Sequence, residues 1–335
     1  MPGLTRELGI DLGTMNTVVA EGNQILLQEP TVVAILVVEQ KMVEWGHSAR
    51  DMYGRVPESI EVTRPLQNGV IAEFEVTENL LKDLIKRVSG PLSLFRPRVM
   101  ITVPYGVTSV ESRAVHEAGL GAGSREVYLI QQPLAAAIGI DLPIGTPSGN
   151  MIVCLGGGTA QAAVLAMNGV VTAETTRTGG LKLDDAIIGY IRKKYGLIIG
   201  QPTAEQLKLR IGTAIPLDEQ KSMEIQGQDQ VSGLPRPASL TSDEICEALQ
   251  EPLQDIVNTS RRVLEKTPPE LISDIIDRGV AICGGGALLR GIDKFLTKSL
   301  GIPAYLVDNP VTCTAEGAAR AITMREALRR NLPPV

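Results

Sequence analysis

Two stretches of the chain repeat one pattern of apolar and polar positions. Gly9 to Ala20 reads GIDLGTMNTVVA, and Ile152 to Ala166 reads IVCLGGGTAQAAVLA. Each is an apolar run, a tight turn of glycine and threonine, and a second apolar run, which predicts a β-hairpin. A glycine-rich tip exposes backbone N–H groups, with threonine hydroxyls beside them, and can wrap an anion. A single hairpin of this kind is commonplace. Two of them, in halves of similar size, point to a duplicated fold that grips a polyphosphate between two domains.

Between and beyond the hairpins the period switches between strand and helix. Thr31 to Val38 reads as a strand from its β-branched residues. Thr77 is placed to cap a helix whose apolar face is Leu80, Leu81, Leu84, Ile85 and Val88, ended by Gly90 and Pro91. Arg98 to Val103 is a buried strand stopped by Pro104. Thr108, three residues before Glu111, forms a capping box for a helix reaching about Leu120. Val127 to Ile130 is a short strand, and Pro133 opens a helix through the alanines at 135–137. The Pro/Gly/Ser-rich stretch from Pro143 to Gly149 marks a domain boundary, giving domains at 1–147 and 148–335. The second half predicts helices at Asp184 to Lys194 and Ala204 to Ile211, and a small strand-and-loop insert from Asp218 to Ser239. A long helix follows, capped by Thr241 and Glu244 and interrupted by Pro252. A strand at Val280 to Cys283 runs into three glycines, and a final helix covers about Ala315 to Arg330. This alternation predicts an α/β fold with mixed sheets.

Composition narrows the chemistry. With 335 residues, 44% of them hydrophobic, there is apolar material for two cores, and aromatics at 3% leave Val, Ile, Leu and Ala to build them. A net charge of −6 argues against nucleic acid as a partner, which calls for a basic surface. No run of ~18 apolar residues could span a bilayer, and Met1 to Leu8 is too short and polar for a signal peptide. The cytoplasm is the expected compartment. Cys154, Cys246, Cys283 and Cys313 match neither a zinc pattern nor a disulfide framework. Cys154 and Cys283 each immediately precede a glycine turn. A redox pair or soft-metal site is conceivable there, beside the plainer reading of buried small hydrophobes.

The stretches Gly9–Thr17, Arg98–Val103, Glu126–Gly139, Gly149–Thr159, Thr203–Gly212, Thr267–Gly279 and Gly284–Gly291 resemble, in order, the bacterial actin homologues of the MreB family. These belong to the superfamily of actin, sugar kinases and heat-shock-chaperone ATPases. The resemblance covers nearly the whole chain. It implies an actin-like ATPase fold: two duplicated α/β domains, each with a smaller subdomain (about 31–75 and 182–245), clasping ATP or ADP with Mg2+ in the cleft between them. It implies paired homopolymeric filaments at the inner face of the cell membrane, working with wall-synthesis proteins and with MreB paralogues. By position, Asp11 would orient waters on the magnesium. Gly13, Thr14, Met15 and Asn16 would form the first phosphate loop, and Gly156, Gly157, Gly158 and Thr159 the second. The helix carrying Glu205, Gln206, Leu207 and Lys208 would meet ribose and adenine. Gly284, Gly285, Gly286, Ala287 and Leu288 would close over the base and α-phosphate. Gln132 and Thr159 are the catalytic candidates.

The chain departs from the family pattern in one direction. Gln131 and Gln132 stand where the family has two glutamates, Cys154 and Gln161 replace further acids, and Leu181 follows Gly180 where an acid is usual. A glutamine can orient water but cannot take its proton, and a thiol is a poor magnesium ligand. Hydrolysis is therefore expected to be slow or lost. Two other readings share the fold: a monomeric ATPase or kinase, and a non-catalytic subunit that copolymerises with an active paralogue. For the membrane, the eight residues before Gly9 include Pro2 and Gly3, which disfavour an anchoring helix. Leu94 and Phe95, flanked by Arg96 and Arg98, form an apolar tip that suits a headgroup interface. The alternative is that both fold back into the core.

Overall fold

A computed structural model of the chain describes residues 5–90 and 96–334, so Leu94 and Phe95 lie outside the described residues. Two five-stranded sheets form the framework. In the first, Glu7–Leu12, Asn16–Glu21 and Gln24–Pro30 make an antiparallel meander. Arg98–Val103 then pairs parallel to Glu7–Leu12, and Glu126–Gln131 pairs parallel to Arg98–Val103. In the second, Asn150–Leu155, Ala160–Ala166 and Gly169–Thr176 make the meander. Val280–Cys283 and Ala304–Leu306 add the two parallel strands. The strand order is the same in both sheets. Even the irregularities correspond: the register between the second and third strands shifts at Val19/Ala20 in one and at Val164/Leu165 in the other. This duplication is what the two matching hairpins predicted.

Each half carries a small three-stranded sheet. In the first half it is Val33–Leu36, Lys41–Trp45 and Ile60–Thr63, followed by a short helix, His47–Asp51, inserted between its second and third strands. In the second half Leu197–Ile198, Ser222–Asp229 and Pro235–Thr241 form it. The capping boxes at Thr108/Glu111 and Thr241/Glu244 are both formed, because a hydroxyl and a carboxylate three residues apart satisfy two orphan N–H groups locally.

Several boundaries differ from expectation. The first long helix spans Phe74–Ser89 with Glu73 as its N-cap, so Thr77 lies inside it, buried, its hydroxyl donating to Glu73 O at 2.7 Å. The next helices begin earlier, at Gly180 and Gln201. Ser242–Glu265 is a single helix through the buried Pro252. The last helix is two pieces, Cys313–Thr323 and Arg325–Leu328. The strand expected at 31–38 shrinks to Val33–Leu36.

One apolar core lies behind each sheet. Ile10, Leu80, Leu84, Val99 and Ile101 anchor the first, and Val153, Ile187, Leu207, Leu249 and Ile282 the second. A third core joins them, with Met100 and Ile130 from the first sheet meeting Ile152 and Ala281 from the second. Two helices run through this joint layer, Gln132–Gly139 and Cys313–Thr323. They cross so closely that a Cβ on Gly139 would meet the Cys313 carbonyl, and one on Gly317 the Ala135 carbonyl. Only glycine allows main chain to approach main chain at that range. The halves are joined through this layer, and the hairpin tips face each other across the cleft.

Candidate nucleotide-binding site

The tips of the two hairpins converge. Gly13 N donates to Asn16 O at 3.2 Å, and Gly156 N donates to Thr159 O at 2.8 Å, so each loop closes on itself. A Cβ on Gly157 would collide with Met15, and one on Gly158 would lie 2.5 Å from Thr14 Oγ1. A third turn braces the first loop, with Gly69 N donating to Thr14 Oγ1 at 2.8 Å. That turn carries Asn68 at φ 50° and Gly69 at φ 80°. The Asn-Gly pair, flanked by the paired strands Leu66–Gln67 and Val70–Ile71, is the sequence signal that could have revealed it.

The loops open onto a cavity of about 320 Å³. Its lining includes Asp11, Gly13, Thr14, Met15, Asn16, Gln132, Gly156, Gly157, Gly158 and Thr159. Glu205 and Lys208 line it from the Gln201–Ile211 helix, and Gly284, Gly285, Gly286 and Leu288 from the turn after Val280–Cys283. Three expected residues do not. Leu207 is fully buried in the second core, Ala287 is buried, and Gln206 faces a neighbouring cavity. Helical periodicity explains the first and last: positions 204, 207 and 211 take the core face, leaving 205, 208 and 209 for the cleft. Gly180, Gly212 and Arg290 also line the cavity without having been singled out in the sequence.

Asp11 lies at the floor. Thr102 Oγ1 donates to Asp11 Oδ1 at 2.6 Å, and Gln132 Nε2 approaches the same oxygen at 3.4 Å. Burial pushes the Asp11 carboxyl above its ordinary value, while these two donors oppose the shift. The amides continue outward. Gln161 Nε2 donates to Gln132 Oε1, and Tyr105 N donates to Gln161 Oε1 at 2.7 Å. Where acids were expected there is a relay of neutral amides. Cys154 is buried in the joint core, its Sγ 3.3 Å from that of Cys283, and the four cysteines are free.

Asp184 was not singled out from the sequence. It is fully buried, and Lys208 Nζ lies 2.6 Å from its Oδ1 and donates to Gly180 O at 2.9 Å. Burial, partly offset by the Lys208 charge, pushes the Asp184 carboxyl up to about 6. The signal was an acid on an apolar stripe, since Asp184, Ile187 and Ile191 share the buried face of the Gly180–Tyr195 helix.

This arrangement can seat a polyphosphate. The glycine tips let the two loops approach more closely than a Cβ would permit, and N–H groups, two threonine hydroxyls and Lys208 border the cavity they frame. For a metal, no group of three or more His, Cys, Asp or Glu gathers among the described residues. Asp11 fits a magnesium that keeps most of its waters and takes its other ligands from phosphate.

The chain matches the family model described as "MreB/Mbl protein" over residues 5–330. It is 47% identical over 326 residues to the cell shape-determining protein MreB of Escherichia coli, covering 96% of this chain and 94% of that one. Among solved structures it is similar to MreB5 of Spiroplasma citri bound to AMPPNP. That match has a TM-score of 0.91 and 32% identity, covering 98% of this chain and 99% of the other. The ADP-bound form of MreB5 matches with a TM-score of 0.90 at 32% identity, over 96% and 97% of the two chains.

Proposed function

The chain belongs to the MreB/Mbl family, with an actin-like fold, and on that footing we propose that it is a nucleotide-dependent cytoskeletal protein. It binds ATP or ADP in the cleft between domains at 1–147 and 148–335, and polymerises into filaments at the inner face of the membrane that organise cell shape and wall synthesis. The observation that carries this is the convergence of two equivalent glycine tips, the Gln201–Ile211 helix and the Gly284 turn on one cavity.

Gly13–Asn16 and Gly156–Thr159 hold the phosphates through N–H groups and hydroxyls. Lys208, fixed by Asp184, presents its ammonium from the side, and the Gly284–Leu288 turn covers the base. Mg2+ screens phosphate charge when bound, and Asp11 holds its waters. Gln132 orients the attacking water. Its Oε1 accepts from Gln161 and its Nε2 leans on Asp11, so the group that orients the water is an amide, which cannot itself take the proton. Removing a general base typically costs about 10²–10⁴-fold in rate, which supports slow turnover by a protein that holds its nucleotide.

At the membrane, Leu94 and Phe95 insert from the segment that follows the Phe74–Ser89 helix in sequence. Arg98 adds less basic charge there than its flanking position suggested, because it pairs with Glu7 at 3.4 Å and Glu126 at 3.3 Å. Arg96 is left to meet anionic headgroups. Two experiments test the proposal. Titration of a fluorescent ATP analogue should saturate with 1:1 stoichiometry, and failure to bind ATP or ADP at millimolar concentration would overturn the site. Co-sedimentation with anionic liposomes should fall on Leu94→Ser/Phe95→Ser substitution with assembly intact. Equal pelleting of both proteins would overturn the membrane role of Leu94 and Phe95.

A further inference from the structure

A second cavity, of about 330 Å³, opens beside the first and shares Glu205 and Leu209 with it. One wall is the His47–Asp51 helix and the end of the Ile60–Thr63 strand, which present Arg50 and Arg64. The other is the first half of the Gln201–Ile211 helix.

Three observations converge there. Arg64 Nη1 is buried and has no hydrogen-bond partner among the described residues. Its guanidinium is withdrawn from water, which pulls its pKa below the ordinary value, yet an arginine stays charged. A desolvated cation with an idle donor is costly unless an acceptor joins it. Second, the Gln201–Ile211 helix begins at this wall. Its N-cap is Gly200, which supplies no side-chain cap, and its first-turn residues Gln201 and Pro202 line the cavity. Pro202 carries no N–H, and Thr203 N donates to Gly200 O at 3.1 Å, so the helix offers this cavity the Gln201 N–H and the positive end of its dipole. Third, the acid best placed to satisfy these groups is already engaged: Arg50 Nη2 lies 2.9 Å from Glu205 Oε2. With Glu205 matched to Arg50, the remaining charged side chains of the lining are Arg55 and Arg64 against Asp51.

We propose that this cavity is a binding site for a small oxyanion, a phosphate or carboxylate group, held by Arg64 and the Gln201 helix terminus and reached by Arg50. The planar fork of a guanidinium matches two oxyanion oxygens at once. Glu205 lines both cavities, so an anion that draws Arg50 away from it alters a wall of the nucleotide pocket. Binding at the two sites is then coupled, equally in each direction.

The test is isothermal titration of inorganic phosphate, and separately of citrate, into the full chain at constant ionic strength, with and without saturating AMPPNP. The expected result is saturable binding of at least one of the two that persists with AMPPNP present and weakens at least about tenfold in Arg64→Gln. Such a loss corresponds to one charged hydrogen bond. Arg64→Lys, which keeps the charge but not the fork, should fall between the two, and thermal melting checks that both variants fold. Binding that disappears when AMPPNP is added, equal binding by wild type and Arg64→Gln, or no binding of either anion would overturn the proposal. If AMPPNP itself fails to bind, the nucleotide reading fails alone, and the titrations on the free protein still report on this second site.

Discussion

Replacing Asp184 with asparagine should flatten the pH dependence of stability. In the folded chain this carboxyl titrates near 6, against an ordinary 3.8, because it is fully buried and the Lys208 ammonium 2.6 Å away offsets the desolvation only in part. A folded-state value above the unfolded one means that, between the two, the native state holds a proton that the unfolded chain has released. Stability from this group is therefore complete below about pH 4 and declines as pH rises through 6. At ~1.4 kcal/mol per pH unit the whole effect is about 3 kcal/mol. Integrating the bound proton from pH 5 to pH 8 gives roughly half of that, about 1 kcal/mol, within a range where unfolding is readily measured. Asparagine has the same shape and does not titrate. Urea unfolding without nucleotide should show wild type losing about 1 kcal/mol more than Asp184→Asn between pH 5 and 8. Parallel profiles would refute the burial argument. A variant less stable than wild type at pH 8 by more than at pH 5 would show that the ion pair with Lys208 outweighs desolvation.

Gly317→Ala should lower stability by about 2 kcal/mol or more, read as a drop in melting temperature, because the new methyl meets the Ala135 main chain rather than a movable side chain. Gly189→Ala is the counterpart: nothing lies within 4 Å of the new Cβ on this exposed helical position, and the melting temperature should rise by an amount equivalent to ~0.5–1 kcal/mol. Gly158→Ala places a methyl 2.5 Å from Thr14 Oγ1 and 3.0 Å from Asn68 Cα, and should weaken nucleotide binding at least about tenfold in a fluorescence titration, about 1.4 kcal/mol. Gln132→Glu places a carboxylate next to the Gln161 amide and should raise phosphate release at least about tenfold with magnesium present; an unchanged rate would refute the proposal that the amide relay slows turnover.

What could be read from the sequence was what local chemistry specifies. The hairpins announced themselves because glycine and threonine at a tip between apolar runs leave few alternatives. The Thr108 and Thr241 caps followed from reciprocal bonds within four residues. Thr77 misled because a threonine before an apolar stripe looks like a cap. The chain instead turns at Glu73, whose side chain makes no cap hydrogen bond, and it bonds back to Pro65 O. The third strands of the meanders, Gln24–Pro30 and Gly169–Thr176, were missed because both are sheet-edge strands bearing polar residues, which blurs alternation. Glycine loops and Lys208 could be placed by resemblance. Asp184 and Arg64 could not, since their surroundings come from segments distant in sequence and the cost of burial appears only when those segments pack; the Asn68–Gly69 turn carried a local signal, but its bond to Thr14 spans 55 residues. The resemblance also assigned four consecutive residues, 205–208, to the cleft, where a helix can offer only those on one face.

The central claim is that this chain is a nucleotide-bound filament former. Electron microscopy of the purified protein at micromolar concentration, with ATP, with AMPPNP and without nucleotide, tests it most directly. The account predicts filaments in both nucleotide samples, of similar abundance as the proposed slow hydrolysis requires, and few or none without nucleotide. A protein that stays monomeric under all three conditions, across salt and magnesium concentrations, would contradict it and favour a monomeric ATPase built on the same fold.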